Sequence, residues 1–306
     1  MTSAPPPLLP PAHEQPLPRP YSGSGGTRVL AGIPYAAIPG IRPLELDLHL
    51  PAGAGPHPVA VFLHGGGWRV GSRHSAGPAY RGADPSPFEL IAQAGVAVAS
   101  VDYRLSGEAR WPAQLHDAKA AVRWLRARAG ELGVDPTRIA AWGESAGGHL
   151  AELLGLVTDP ALEGNVGVAG PSSAVSAVAA WYAPSDVAAV ATDTGGDPDD
   201  PTTREAQLLG APAPSVPELA AQASPISHVS PGAPPFLLLH GEADRLIPCA
   251  QSVRLHTALV EAGAEAEILL YEDADHMWLG SPDAASDALT RTVEFLEHQL
   301  IERKRT

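Results

Sequence analysis

The chain contains 306 residues, 44% of them hydrophobic and 18% charged, which provides material for a sizeable core and excludes wholesale disorder. Its formal net charge of -14 excludes nucleic acid and an anionic membrane surface as partners, because both would repel the chain. The single cysteine, Cys249, excludes an intrachain disulfide and a cysteine-based zinc site.

The first 26 residues are rich in proline and then in glycine and serine. Met1–Pro20 lacks the basic start and apolar run of a signal peptide, and no apolar stretch of the chain approaches the roughly 18–20 residues that span a bilayer. We therefore predict a flexible arm over residues 1–26 without secondary structure, no stable membrane insertion and a cytoplasmic protein.

From residue 27 to residue 306, short strand patterns alternate with longer helical ones, which predicts one α/β domain with a mostly parallel sheet. An opening pair of strands is expected at Thr27–Ala36 and Leu44–Leu50, and the alternation in the second indicates a solvated face, as at a sheet edge. The later strands are apolar runs, typical of strands buried on both faces. They are predicted at Val59–Leu63, Val96–Val101, Arg138–Trp142, Ala174–Trp181, Phe236–Leu239 and Ala266–Leu270.

Helical patterns fall between these strands, as βαβ units with right-handed crossovers require. They are predicted at Pro87–Ala94, Pro112–Gly133, Ala146–Val157, Ala250–Ala262 and Ala284–Arg303. Residues 192–224 break the rhythm with many Asp, Pro, Gly and Ala residues. We interpret this interval as a mobile loop or cap insertion with a short helix, overhanging a functional site.

A G-x-S-x-G motif, Gly143–Gly147, directly follows a predicted strand and directly precedes a predicted helix. A sharp strand-to-helix turn of this kind projects the serine hydroxyl above the carboxyl edge of a sheet. The motif alone is weak, since a Gly-rich βα turn can carry the same letters. Its position between a strand and a helix favours Ser145 as a nucleophile.

Three consecutive glycines follow another predicted strand, in His64–Trp68. Backbone N–H groups in such a run can approach a substrate closely and stabilise the oxyanion of an acyl-transfer reaction, together with the N–H after the nucleophile. We predict Gly65, Gly66 and Ala146 as these donors. His64 is expected to brace the loop.

A serine nucleophile needs a base and an orienting acid, which follow it in the order acid, then histidine. Asp244 is the best acid because it lies just after a predicted strand, with Glu242 as its rival. His276 lies on the loop after the next strand, whereas His256 and His298 lie within predicted helices. The sequence therefore predicts His276 as the base that accepts the serine proton.

Further residues near these loops have two interpretations. Trp68, Glu144 and Trp278 are candidates for a substrate pocket, although aromatic residues beside active loops are as often structural. His149 lies one helical turn after the nucleophile, which favours a packing role over that of a base.

The motifs His64–Trp68, Val101–Leu105, Gly143–His149 and His240–Asp244 occur in the order seen in esterases of the α/β-hydrolase fold. Over about residues 28–303 the chain resembles the hormone-sensitive-lipase-like group and, more closely, small bacterial carboxylesterases related to feruloyl and acetyl esterases. The resemblance implies an eight-stranded, mostly parallel sheet flanked by helices, with the second strand antiparallel. Glu144 departs from the aspartate common in the hormone-sensitive-lipase-like group, which leaves the subgroup open.

The resemblance implies a serine carboxylesterase that hydrolyses short-chain acyl, acetyl or aryl esters through Ser145, His276 and Asp244, with no metal and no cofactor. Its partner would be a small-molecule ester, and a homodimer stays open. Two alternatives use the same fold. One is an amidase or peptidase with the same triad, and the other is a ligand-binding protein without catalysis, which typically lacks the histidine.

Overall fold

The structure is a computed structural model that describes residues 11–303. Within this range a single sheet has the spatial order β1-β2-β3-β5-β4-β6-β7-β8-β9. Its strands are β1 (Tyr21–Ser22), β2 (Arg28–Ala36), β3 (Leu44–Leu50), β4 (His57–Leu63), β5 (Ala97–Val101), β6 (Val134–Glu144), β7 (Val178–Trp181), β8 (Phe236–Gly241) and β9 (Ala266–Tyr271).

The strands from β5 to β9 in this order pair in parallel, whereas β3 runs antiparallel to both β2 and β5. The eight strands β2 to β9 confirm the expected α/β-hydrolase fold, including its antiparallel second strand. The sheet differs from the expectation by one further strand, β1, which adds to the outer edge of β2 in antiparallel orientation.

The predicted lack of secondary structure in the arm is wrong for residues 11–26, while residues 1–10 lie outside the described residues. Besides β1, the arm contains 3₁₀ helices at Ala12–Glu14 and Ser24–Gly26. Its backbone is tethered to the domain, because the carbonyl of His13 accepts a hydrogen bond from Trp124 Nε1 at 2.8 Å. Trp124 lies far along the chain from His13, so a local sequence pattern does not reveal this contact.

Helices cover both faces of the sheet. The α helices are α1 (Pro87–Gln93), α2 (Ala113–Ala127), α3 (Ala129–Leu132), α4 (Ala146–Leu156), α5 (Val190–Asp193), α6 (Arg204–Leu209), α7 (Pro217–Ala223), α8 (Ala250–Glu261) and α9 (Pro282–Glu297). Shorter helices lie at Pro78–Tyr80, Pro160–Leu162, Ala213–Ser215, Pro225–His228, His276–Trp278 and His298–Glu302. Within residues 11–303, no helix has both the length and the apolar character that crossing a membrane requires.

The core consists of two apolar layers, one on each face of the sheet. Along β4, Val59 and Leu63 belong to the layer that also contains residues of α2, α4 and α8, whereas Phe62 belongs to the layer under α1 and α9. This arrangement explains why the central strands are continuous apolar runs, since each residue in turn faces a buried layer.

The predicted edge position of β3 is wrong, because β3 lies inside the sheet between β2 and β5. Asp47 in the middle of β3 is buried and paired, and it accepts hydrogen bonds from Arg73 Nε at 2.9 Å and from the Gly32 N–H at 2.7 Å. The opposite error concerns β9, predicted as buried on both faces. It is an edge strand, and Leu270 on it is 37% exposed.

The interval 192–224 holds α6 and α7 and a short 3₁₀ helix, so that the prediction of one short helix underestimates its structure. The interval packs on the domain through its backbone, and the Leu208 carbonyl accepts a hydrogen bond from the Trp111 N–H at 2.9 Å. Its mobility stays a prediction.

Replacing Phe62 by Ala should lower the free energy of unfolding by about 3–5 kcal/mol. The ring is fully buried, with its centroid 5.0 Å from that of Phe88 and 4.4 Å from that of Trp142, so its loss leaves a cavity between two aromatic rings. Urea unfolding measures this loss. The control is Val260→Ala at a half-exposed site on α8, and equal losses in the two variants would contradict the proposed packing.

Candidate active site

The G-x-S-x-G segment forms a tight turn between β6 and α4. Ser145 has φ 51° and ψ -121°, a left-handed conformation that a non-glycine residue adopts only under strain. The flanking glycines are required by close backbone contacts, because a Cβ at Gly143 would overlap the carbonyl of Gly147, and one at Gly147 would overlap the carbonyl of Leu63. The turn therefore presents the hydroxyl at the carboxyl edge of the sheet, as the sequence predicts.

The structure brings the three predicted triad residues together from the ends of β6, β8 and β9. Ser145 Oγ lies 3.0 Å from His276 Nε2, and His276 Nδ1 lies 2.6 Å from Asp244 Oδ2. The other oxygen of Asp244 accepts hydrogen bonds from the N–H groups of Leu246 and Ile247, both at 2.8 Å. This chain of contacts can pass a proton from the hydroxyl to the imidazole.

The carboxylate of Asp244 is held in its ionised form. Burial by itself would raise the pKa of Asp244, but hydrogen bonds from His240 and His276 outweigh burial and hold this pKa well below its ordinary range. His240 Nε2 lies 3.3 Å from Asp244 Oδ2. A permanently charged Asp244 can orient the His276 imidazole and stabilise its cation.

A second carboxylate, that of Asp275, connects the loop that carries Asp244 to the loop that carries His276. Asp275 Oδ1 accepts hydrogen bonds from the His276 N–H at 2.8 Å and from the Arg245 N–H at 3.0 Å. Asp275 Oδ2 pairs with the Arg245 guanidinium, with a distance of 2.8 Å to Nε. The residues next to Asp244 and His276 thus fix the two loops relative to each other.

Three residues are predicted as oxyanion donors. Two of them, Gly66 and Ala146, have N–H groups that donate to no acceptor within residues 11–303. Gly65 departs from the prediction, because its N–H already donates a hydrogen bond to Glu144 Oε1 at 3.2 Å. Gly66 has φ +115°, and a Cβ there would overlap the carbonyl of Val70, so that only glycine fits this turn.

Glu144, predicted as a pocket residue, is buried and contacts the segment His64–Trp68, here called the oxyanion loop. Its second oxygen accepts a hydrogen bond from the Tyr182 hydroxyl at 2.6 Å. Burial raises the pKa of Glu144 above its ordinary value, against the opposing effect of the hydrogen bonds from Tyr182 and Gly65. Tyr182 follows β7 and is a residue that the sequence prediction missed, since one tyrosine at the end of a strand has no distinctive motif.

The two tryptophans predicted as pocket residues are almost completely buried. Trp68 is 1% exposed, and its Nε1–H donates to His149 Nδ1 at 3.3 Å. Trp278 is 2% exposed and packs edge-to-face on Tyr182 and Tyr271. With so little exposed surface, neither ring can form much of a substrate pocket in this conformation.

The remaining histidines near the site have the bracing and packing roles expected of them. His149 Nε2 donates to the carbonyl of Ala223 at 2.6 Å, and burial lowers the pKa of His149 to about 4. His64 Nδ1 donates to the carbonyl of Gly65 at 2.7 Å, and its ring stacks on Tyr103 with a centroid distance of 4.3 Å. Both side chains stay neutral and hold loops in place.

Backbone strain is concentrated around these loops. Every non-glycine residue of the range 11–303 with a positive φ belongs to the oxyanion loop, the serine turn, the end of β7 or the histidine loop. Strained residues of this kind cluster at functional sites, where the surrounding fold must stabilise them. They are Trp68, Ser145, Tyr182, Met277 and Trp278.

The family model described as BD-FAE matches residues 46–259 of this chain. The chain belongs to the BD-FAE family. This membership confirms the resemblance to α/β-hydrolase esterases, and the matched range includes the oxyanion loop, Ser145 and Asp244, while His276 lies beyond it.

Two curated relatives of this BD-FAE chain come from Mycobacterium tuberculosis. Esterase LipQ is 35% identical over 237 residues, which cover 76% of this chain and 53% of LipQ. Esterase LipC is 35% identical over 198 residues, which cover 64% of this chain and 47% of LipC. The BD-FAE chain therefore spans about half the length of the curated relatives that it matches.

Solved esterase structures have the same fold as this BD-FAE chain. A truncated carbohydrate esterase from gut microbiota has a TM-score of 0.77 at 28% identity, over 91% of this chain and 99% of that chain. Esterase 2 of Thermogutta terrifontis, solved with propionate bound, has a TM-score of 0.71 at 30% identity, over 89% of this chain and 94% of that chain.

Replacing Asp244 by Asn should slow the labelling of Ser145 by a fluorophosphonate by about 10²-fold or more, because the neutral amide no longer orients and stabilises the imidazole as a base. The rate of label incorporation measures the effect. The matched control is Glu242→Gln, which removes the exposed rival carboxylate and should leave this rate unchanged. A slow Glu242→Gln variant beside a fast Asp244→Asn variant would reverse the assignment of the acid.

Replacing His149 by Gln should make the free energy of unfolding less sensitive to acid. The pKa of His149 is about 4 in the folded chain against an ordinary 6.5, so that the unfolded chain binds its proton first as the pH falls below 6.5. Between pH 7 and pH 5, the free energy of unfolding of the parent should therefore fall by about 2 kcal/mol more than that of the variant. Urea unfolding at the two pH values measures this difference. Identical losses in both proteins would contradict it, and His298→Gln, at an exposed histidine, is the control.

Proposed function

We propose that the chain is a serine carboxylesterase that hydrolyses carboxylic esters through an acyl-enzyme intermediate. The observation that carries this proposal is the continuous contact of Ser145 Oγ with His276 Nε2 at 3.0 Å and of His276 Nδ1 with Asp244 Oδ2 at 2.6 Å. Membership of the BD-FAE family and the esterase names of its relatives support the same reaction.

The first half of the reaction acylates the serine. His276 Nε2 removes the proton as Ser145 Oγ attacks the ester carbonyl, and the charged Asp244 stabilises the resulting imidazolium. The carbonyl oxygen, on which negative charge develops, accepts hydrogen bonds from the N–H groups of Gly66 and Ala146. One such donor typically contributes about 3–4 kcal/mol to the lowering of the barrier.

The first half ends as the tetrahedral intermediate collapses, when the C–O bond to the alcohol breaks and His276 returns its proton to the leaving oxygen. The second half releases the acid. Water attacks the carbonyl carbon of the acyl-enzyme, with His276 as the base that takes its proton and the same two N–H groups as donors. The bond between the acyl carbon and Ser145 Oγ then breaks, His276 returns the proton to Oγ, and the carboxylic acid leaves.

The preferred esters in this proposal have small acyl groups. Ser145 and His276 are both buried side chains, which leaves narrow access to the reacting atoms. The structural neighbour from Thermogutta terrifontis was solved with propionate, a three-carbon acid, which supports a small acyl site in this fold.

Replacing Ser145 by Ala should abolish hydrolysis of p-nitrophenyl acetate, with a loss on the order of 10⁶-fold, because no other group can form the acyl-enzyme. In the parent, rates on p-nitrophenyl esters should fall as the acyl chain lengthens from acetate to octanoate. Release of p-nitrophenol, followed by absorbance, measures both effects.

The same panel separates the alternatives. Acetylated sugars, methyl ferulate and p-nitroanilides are included, with Glu242→Gln as the control variant. Turnover of anilides but not of esters would favour an amidase. A folded parent without turnover of any of these compounds would favour a ligand-binding role, and equal rates for Ser145→Ala and the parent would contradict the mechanism.

A further inference from the structure

Glu144 connects three segments of the site. It is the last residue of β6 and directly precedes Ser145, and its two carboxyl oxygens contact the Gly65 N–H at 3.2 Å and the Tyr182 hydroxyl at 2.6 Å. A Cβ added at Gly77 would lie 2.5 Å from Glu144 Oε2, so a further loop also closes against this carboxyl group. Glu144 is only 5% exposed.

Tyr182 extends the same connection to the base. Its ring lies edge-to-face on His276, with a centroid distance of 4.8 Å and an interplanar angle of 63°, and equally close to Trp278. Tyr182 has φ 37°, a conformation that costs a tyrosine free energy and that the fold must therefore stabilise. Its hydroxyl end is held by Glu144, while its ring supports one side of the imidazole.

We propose that Glu144 and Tyr182 are a pair of positioning residues that hold the oxyanion loop and His276 in place around Ser145. The inference rests on the proposed esterase function and deepens it. Neither residue contacts the reacting atoms in this arrangement. Glu144 acts through the Gly65 N–H, and Tyr182 acts through the His276 ring.

The pair explains why the first glycine of the oxyanion loop is not a free donor. Gly66 and Gly67 both have positive φ, and a run of glycines gains much conformational freedom whenever it is released. The hydrogen bond from Gly65 to Glu144 fixes the start of this run and leaves the N–H of Gly66 for the oxyanion. Donors placed in advance of the reaction are the effective ones.

The experiment measures kcat and KM of the full chain on p-nitrophenyl acetate for Glu144→Ala, Glu144→Gln and Tyr182→Phe. Displacement of a catalytic group by about 1 Å can cost about 10²-fold in rate, so we expect Glu144→Ala to lose about that factor in kcat with little change in KM. Glu144→Gln should recover about tenfold of the loss, because its amide oxygen still accepts from Gly65 and its amide N–H₂ can donate to Tyr182.

Tyr182→Phe removes only the hydroxyl and keeps the ring against His276. We expect a smaller loss in kcat, and the double variant Glu144→Ala/Tyr182→Phe should be no slower than Glu144→Ala alone, since the contact is already broken. Glu152→Ala is the matched control, because Glu152 on α4 is also a buried carboxyl group, and neither of its oxygens has a hydrogen-bond partner among residues 11–303. It should keep the parental kcat.

The results separate this inference from the proposed function. An active Ser145→Ala variant would remove both, whereas an inactive Ser145→Ala beside a folded Glu144→Ala of parental kcat would remove the positioning pair alone. Losses that multiply in the double variant would show that the two residues act independently, which also overturns the pair. If Glu144→Ala fails to fold, a parental kcat in both Glu144→Gln and Tyr182→Phe overturns it, and a reduced kcat at unchanged KM in Tyr182→Phe supports it.

Discussion

The backbone of the serine turn lies directly against the backbone at the end of β4, and the rest of the site depends on this contact. Any side chain at Gly147 would overlap the carbonyl of Leu63, so that α4 could not approach β4 as it does. Because the oxyanion loop starts at the next residue, the contact fixes the distance between the nucleophile and the N–H of Gly66. The strain at Ser145 is the local consequence of forcing a strand and a helix together at one residue.

Burial shifts the pKa values of several side chains around the site. It lowers the pKa of His64 and of His149 to about 4, which favours their uncharged forms, and it raises the pKa of Glu144 above its ordinary value. Asp244 is the exception, since its hydrogen bonds outweigh its burial and lower its pKa. The negative charge of Asp244 lies directly behind the His276 imidazole, where it would favour a cationic imidazole.

The candidate site residues that the sequence predicted all lie at or shortly after the end of a strand. Ser145, Asp244 and His276 follow β6, β8 and β9, and parallel strands place such residues at one edge of the sheet. Tyr182 also follows a strand, but its importance lies in two tertiary contacts, to Glu144 and to His276, that no local pattern encodes. Position at a strand end after a buried run was the one signal that could have identified it.

The place of a strand in the sheet could be predicted wherever its hydropathy pattern matches its burial in the structure. The alternation in β3 suggested an edge, yet Glu45 and Asp47 on this strand pair with Arg73, which lies 26 positions away from Asp47. Likewise β9 has an apolar sequence, but among residues 11–303 it pairs with β8 alone. Which strand ends the sheet is decided by the order of the strands in space, and hydropathy along the chain carries no information about that order.

The separation of Ser145 and His276 by 131 positions along the chain has a consequence for the order in which the site forms during synthesis. The serine turn is synthesised with β6 and α4, whereas His276 follows β9. A nascent chain that ends before β9 therefore displays the Ser145 hydroxyl without the imidazole that contacts it in the folded chain. The contact between these two side chains can form only after β9 has been synthesised.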